Sequence, residues 1–438
     1  MQLTEREKKY IWHPFTEQKN MAPPVPIIKA KGTLLYDDKG SSYIDAISSW
    51  WVTLHGHAHP YIAEKIYAQA LTLEQVIFAG FTHPPAVDLA DRLINLLPEG
   101  FSKIFYSDNG STATEVALKM AIQYWGNQEE TRNMEQGTWI KKQGTRNKVL
   151  AFKGAYHGDT FGAMSVSDRS VFTLAFHDLL FDVIFLDTPT ENNIGEIKAI
   201  INKHSNEVAA FIYEPLVQGA GGMKMYNSHF LNELITTAKQ HDIICIADEV
   251  MTGFGRTGKF FASEYIAEKP DIICLSKGLT GGTMALGVTA CNEKIYNAYL
   301  SDDQLKTFFH GHSFTANPLA CTAALASMDL LEQPQTMEAI AWITETNEIF
   351  KTQLVNEYSF ICSNVRNTGT ILAFEIAQGK NEYLNNISSI ITAKALAAGV
   401  YIRPLGNTVY IMPPYCITKN ELQKVQETIL AILKELLN

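Results

Sequence analysis

Between about Lys103 and Ala290, short apolar runs alternate with stretches of helical periodicity, the pattern of a mainly parallel α/β sheet. Seven runs read as strands: Lys103–Tyr106, Lys148–Phe152, Val183–Leu186, Val208–Tyr213, Ile243–Ala247, Ile272–Leu275 and Gly287–Ala290. Most are apolar throughout, as strands covered on both faces should be. The last hundred or so residues differ. Helical patterns over Met337–Glu357 and Ser388–Ala398 flank short strands at Ile371–Ile376 and Val409–Met412, and an amphipathic helix is predicted over Lys419–Leu437. The expected organisation is a large domain over 50–330 and a smaller α+β domain over 331–438. The N-terminal segment 1–49 is expected to join the small domain. There are no internal repeats and no low-complexity linker.

Polar groups gather just after the predicted strands. Ser107-Asp-Asn-Gly-Ser follows the first, Lys153-Gly-Ala-Tyr-His-Gly the second, Glu214-Pro the fourth, Asp248-Glu249 the fifth and Ser276-Lys277-Gly278 the sixth. In open α/β sheets ligands bind beyond the carboxyl ends of the strands.

Charge narrows the classes of partner. The 36 Lys and Arg against 46 Asp and Glu leave a formal charge of -10, with no basic block for nucleic acid or for anionic membrane. The six cysteines are scattered and form no C-x-x-C pair, which suits reduced, buried thiols better than disulfides or a zinc site. The charged N-terminus has no apolar stretch fit for a signal peptide, and no run approaches a membrane span. The expected location is the cytoplasm.

Three segments carry candidate chemistry. Thr112-x-x-Glu115 reads as a capping box, with helical apolar spacing after it, which places Gly110 and Ser111 where backbone amides and the helix dipole can cradle a phosphate. The same pattern fits an ordinary capped helix. Asp248 ends an apolar strand, where a buried carboxylate needs a cation or strong donors. A cofactor's pyridinium nitrogen would serve, as would a turn that the aspartate caps. Lys277 follows a buried strand within a Gly-rich stretch, and a desolvated lysine there has a lowered pKa and is a competent imine-forming nucleophile. The alternative is a lysine that leaves the sheet edge for solvent.

Asp248-Glu-Val-Met-Thr-Gly-Phe-Gly-Arg-Thr-Gly258 and Ser276-Lys-Gly-Leu-Thr-Gly-Gly282 resemble the motifs of class III (ω-type) aminotransferases of fold type I, and the likeness runs from Trp12 to Tyr415. It implies pyridoxal 5'-phosphate as cofactor, carried by Lys277 as a Schiff base. Asp248 would partner the pyridine nitrogen, Tyr156 would stack on the ring, and Gly110 and Ser111 would hold the phosphate. Gly311, His312 and Ser313 would complete that phosphate site from the second subunit of a homodimer.

Trp12-His-Pro-Phe-Thr16, Ser48-Ser-Trp-Trp51 with His55-Gly56, and Tyr401-Ile-Arg-Pro404 ahead of Ile411-Met-Pro-Pro-Tyr415 narrow the likeness. They resemble the members of the family that aminate 8-amino-7-oxononanoate in biotin biosynthesis. That likeness implies ping-pong transamination, with S-adenosylmethionine as donor and lysine as the alternative. It also implies that Trp50 packs on the acceptor's aliphatic chain while Arg403 pairs with its carboxylate, an aromatic wall and a cation suited to a long apolar acid. Two positions depart from the usual pattern. Phe15 stands where a Tyr is common, and His312-Ser313 where Pro-Thr is common. Ornithine, 4-aminobutyrate or β-alanine would be the substrates of other ω-aminotransferases, against which Trp50, Trp51 and Arg403 argue.

Gly253-Phe-Gly-Arg-Thr-Gly258 also matches G-x-G-x-x-G, the one feature that suggests a nucleotide binder, but it lacks the surrounding dinucleotide unit. His55, His57 and His59 alternate in a loop-like stretch with no acidic or thiol neighbour in sequence, so no metal is expected.

Overall fold

The computed structural model describes residues 3–128, 146–377 and 387–437. In chain order its strands are β1 (Ile27–Lys31), β2 (Leu34–Asp37), β3 (Ser42–Asp45), β4 (Phe101–Ser107), β5 (Lys148–Phe152), β6 (Val183–Leu186), β7 (Val208–Tyr213), β8 (Val217–Gln218), β9 (Lys224–Met225), β10 (Ile244–Asp248), β11 (Ile272–Leu275), β12 (Gly287–Asn292), β13 (Cys362–Thr368), β14 (Ile371–Ile376), β15 (Val400–Tyr401) and β16 (Thr408–Ile411).

The central sheet has the order β4-β12-β11-β10-β7-β5-β6. Pairing is parallel from β11 through β6, and β12 runs against both of its neighbours. The apolar runs are apolar for the expected reason. β7, β10 and β11 are buried at every position, because helices cover both faces. One core lies between the sheet and the helices that include Pro84–Leu96, Ser228–Lys239 and Pro318–Leu331. A second lies under the helix Gly110–Gln128, on the other face.

A four-stranded sheet of order β1-β2-β3-β15 joins the N-terminal segment to the C-terminal region. There β3 pairs in parallel with β15, Ile44 against Val400 and Asp45 against Tyr401. The antiparallel β13-β14-β16 sheet carries the helix Pro334–Glu357. The last helix, Lys419–Glu435, starts on a real capping box, in which Thr418 Oγ1 accepts from the Glu421 amide and the Glu421 carboxylate accepts from the Thr418 amide.

The box expected at Thr112 and Glu115 does not form. The helix begins at Gly110, so its cap is Asn109, whose Oδ1 accepts from the Thr112 amide at 3.0 Å while Thr112 Oγ1 accepts from the Asn109 amide at 3.1 Å. Glu115 caps a different helix. Its carboxylate accepts from Thr160 Oγ1 at 2.7 Å and from the amides of Gly162 and Ala163 at 3.2 and 2.9 Å, at the start of Phe161–Val166. Cys416 is exposed, unlike the other five cysteines. Among the described residues no helix is long and apolar enough to cross a membrane, and no group of His, Cys, Asp and Glu could hold a metal ion.

Candidate active site

A cavity of about 670 Å³ opens at the carboxyl ends of the parallel strands. The segment after β4 supplies Asp108–Ser111, the loop after β5 Tyr156–Thr160, β7 Glu214, β10 Asp248, and β11 Ser276 and Lys277. Because β12 is antiparallel, the residues before it, Gly282–Leu286, close the same edge. Ser276 Oγ donates to the Leu286 carbonyl at 2.7 Å and ties the two strand ends together beside Lys277.

Lys277 has φ 47°, a left-handed conformation that costs a non-glycine residue about 1–2 kcal/mol and persists where surrounding structure enforces it. Its ammonium lies 4.5 Å from the centre of the Trp51 ring. Burial pushes its pKa down to about 8, although the Asp248 and Glu214 carboxylates pull it back up. The site thus makes neutral amine available near physiological pH.

Asp248 is buried. One carboxylate oxygen accepts from the Val250 amide at 3.1 Å, and the other lies 2.7 Å from His157 Nδ1. His157 Nε2 is buried without a partner, and the His157 amide donates to Ser167 Oγ at 2.9 Å. Sequence reasoning gave His157 no role. Its place in Tyr156-His157-Gly158, after a strand whose neighbours carry the site, was the available signal. Glu214 is also buried, and it accepts from the amides of Tyr156 at 3.1 Å and Gly219 at 2.8 Å. Burial raises its pKa to about 7, against the His157 interaction that lowers it. Tyr156 borders the cavity and donates from its hydroxyl to Asp159 at 2.8 Å; burial raises the pKa of the phenol.

The phosphate-cradle expectation meets suitable geometry. Gly110 and Ser111 are the first residues of a 19-residue helix and line the cavity. A Cβ on Gly110 would meet Val250 Cγ1 at 2.7 Å, and one on Gly158, whose φ is +129°, would meet Ser111 Oγ at 2.2 Å. Only glycine lets these backbones close around the helix N-terminus. A lysine of lowered pKa, a buried aspartate and an anion-binding helix end in one cavity can hold a flat cationic ring that bears a phosphate.

The remaining expected residues lie elsewhere. Phe15, Trp50 and Arg403 come together, with ring centroids of Phe15 and Trp50 5.7 Å apart and the Arg403 guanidinium 5.0 Å from the Trp50 ring. Phe172 packs on Phe15 at 5.6 Å, a neighbour not foreseen. Trp50 and Arg403 line a second cavity of about 520 Å³ with Tyr43, Leu396 and Tyr401, not the first. The chain passes from one cavity to the other between Trp50 and Trp51. Gly311, His312 and Ser313 line neither. Their loop sits on another segment, with Gln75 Nε2 donating to the Ser313 carbonyl, and His312 Nε2 is buried without a partner.

Residues 15–433 match the family described as aminotransferase class-III. The chain belongs to that family. Among class-III aminotransferases it is 45% identical over 437 residues to adenosylmethionine-8-amino-7-oxononanoate aminotransferase of Synechococcus elongatus, covering 98% of this chain and 99% of the relative. The protein of the same name from Helicobacter pylori is 37% identical, with 99% and 98% covered. The crystal structure of the enzyme so named from Methanocaldococcus jannaschii superposes with a TM-score of 0.91 at 34% identity, over 99% of this chain and 98% of that one. A PLP-bound amine transaminase from an uncultivated Pseudomonas species superposes with a TM-score of 0.87 at 30% identity, over 97% and 98%. This class-III aminotransferase therefore shares both the α/β architecture and the full length of its relatives.

Proposed function

We propose that this protein transfers an amino group to 8-amino-7-oxononanoate, giving 7,8-diaminononanoate for biotin biosynthesis, with pyridoxal 5'-phosphate as cofactor and S-adenosylmethionine as donor. The observation that carries the reading is the joint placement of a desolvated Lys277 and the buried Asp248–His157 pair in one cavity. The names of the full-length relatives support the choice of acceptor and donor.

When bound, the cofactor supplies an electron sink for the carbon that loses a proton. Lys277 would hold it covalently, and the free lysine amine would carry that proton. Asp248 would hold the ring nitrogen protonated, and His157, 2.7 Å away, orients Asp248. Gly110 and Ser111 would bind the phosphate, and Tyr156 would cover the ring. Trp50 and Arg403 take the acceptor's chain and carboxylate, with Phe15 at the edge of Trp50.

The reading includes a cytoplasmic homodimer in which Gly311, His312 and Ser313 serve the partner's phosphate site. Their absence from this chain's own cavity supports it, as does the strong exposure of Phe309 and Phe314 on either side. The pairing of β3 with β15 supports a small domain made from both ends of the chain.

The test is a pair of half-reactions. S-adenosylmethionine added to the pyridoxal form should bleach its long-wavelength absorbance. Adding 8-amino-7-oxononanoate should then restore the band, with 7,8-diaminononanoate detected by mass spectrometry. Bleaching by lysine alone would overturn the donor; no product from 8-amino-7-oxononanoate with either donor would overturn the acceptor.

A further inference from the structure

The segment Ser48–Trp51, which separates the two cavities, is held in an unfavourable backbone conformation. Ser48, Ser49 and Trp51 have φ of 54°, 59° and 66°. Left-handed backbone costs about 1–2 kcal/mol at each such residue and does not persist without external restraint. The local sequence supplies no glycine there to relieve it.

Ser48 Oγ donates to the Met412 carbonyl at 2.7 Å, and Ser49 is restrained by Asp45, whose carboxylate is fully buried at the end of β3. One oxygen accepts from the amides of Ile47 at 3.3 Å and Ser49 at 2.9 Å. The other accepts from Ser49 Oγ at 2.9 Å and lies 2.8 Å from His57 Nε2. His57 is itself fixed by a backbone bridge to Gly32, with bonds of 2.7 and 3.1 Å. A buried carboxylate with four such partners is satisfied, and removing it would strand donors on a strained turn.

The two tryptophans this turn carries face opposite tasks. Trp51 places its ring 4.5 Å from the Lys277 ammonium and donates its indole N–H to Tyr410 at 2.9 Å. Trp50 meets Arg403 at 5.0 Å. The Asp45 backbone also pairs with Tyr401, two residues before Arg403 in the chain.

We infer that Asp45, braced by His57, is a positioning residue that sets acceptor specificity by holding Trp50 and Arg403 in register with Trp51 and Lys277. The inference rests on the proposed function for the identity of the acceptor. It does not rest on it for the mechanics of the turn.

The experiment compares the parent holoenzyme with Asp45→Ala, Asp45→Asn and His57→Phe. Two quantities are read. The first is KM for 8-amino-7-oxononanoate relative to KM for an amino ketone of equal length without the carboxylate. The second is acrylamide quenching of tryptophan fluorescence in the absence of substrate. Asp45→Ala should raise the KM ratio about tenfold, which corresponds to roughly 1.4 kcal/mol, and should increase quenching as Trp51 loses its burial. Asp45→Asn should recover most of both, because its side-chain oxygen still accepts from Ile47 and Ser49. A folded Asp45→Ala with unchanged ratio and quenching overturns the inference, as does an Asp45→Asn as impaired as the alanine. If Asp45→Ala does not fold, His57→Phe decides, since it leaves three of the four partners. A raised ratio then supports the brace and an unchanged one overturns it. A parent that does not use 8-amino-7-oxononanoate defeats the functional reading instead, and the quenching comparison still judges the turn.

Discussion

At the scale of single residues, the site depends on what burial does to two charges of opposite sign. Lys277 has a pKa near 8 because desolvation outweighs the attraction of Asp248 and Glu214. Covalent capture of added cofactor by the apoprotein should therefore quicken with rising pH and level off above about 8. A rate that keeps climbing toward pH 10.5 would show that Lys277 is not desolvated. Linkage gives a second check. Between about 8 and 10.5 the folded state binds fewer protons at Lys277 than the unfolded chain does, so folding stability gains with rising pH in that window. Lys277→Met removes the gain, and its thermal-stability advantage over the parent apoprotein should shrink from pH 8 to 10.5. The variant should also lose turnover while still binding cofactor non-covalently.

Asp248 is the buried carboxylate of the same cavity. Its His157 partner lies 2.7 Å away and is buried. Asp248→Asn should slow both half-reactions. His157→Leu should do so more mildly, since loss of a hydrogen bond to a buried charge costs about 1–3 kcal/mol. Stopped-flow bleaching of the cofactor band by donor measures both. A His157→Leu enzyme as fast as the parent would remove His157 from the site.

At the scale of elements, the informative feature is how loops borrow caps from one another. Glu115 sits one turn inside the helix Gly110–Gln128, yet it caps Phe161–Val166, directly after the loop that carries Tyr156 and Asp159. Glu115→Ala should leave the Gly162 and Ala163 amides unmet. The expected cost is about 1–2 kcal/mol in denaturant unfolding, with faster cofactor loss on dialysis. Equal cofactor retention would mean that the contacts to Glu214, Ser167 and Asp248 suffice to hold the loop.

Sequence patterns were legible here where they report burial on both faces, and illegible where a side chain serves a distant backbone. Thr112-x-x-Glu115 has the spacing of a capping box, but the helix is capped three residues earlier, at Asn109, and starts at Gly110. That start leaves Glu115 too far inside to cap its own helix, and only packing shows whose amides it meets.

At the scale of the whole molecule, the relevant number is how many chains make one site. Gly311, His312 and Ser313 lie outside both cavities of their own chain. If the proposed homodimer shares its sites, subunit exchange between two inactive variants, Lys277→Ala and Gly311→Trp, should restore part of the activity. The mixed dimer then has one site with an intact lysine and an intact partner loop. No recovery, with exchange confirmed by mass, would place each site within a single chain.

The strands of the central sheet and its ligand edge were legible in the sequence, because strands buried on both faces must be continuously apolar and polar residues gather at their ends, while the strand order and the antiparallel β12 were not. The same pattern puts Lys277, Asp248 and the Gly110–Ser111 helix start at that edge, since each lies at or just beyond the carboxyl end of a strand. Tertiary structure alone decided the rest. His157 became the partner of Asp248 through a contact 91 residues apart in the chain. Trp51, not Trp50, came to lie against Lys277, and Asp45 came to restrain the turn between them. These contacts join side chains on separate elements. Apolar periodicity and local spacing determine which elements form and which way they face, and only the packed chain determines which polar groups meet across them.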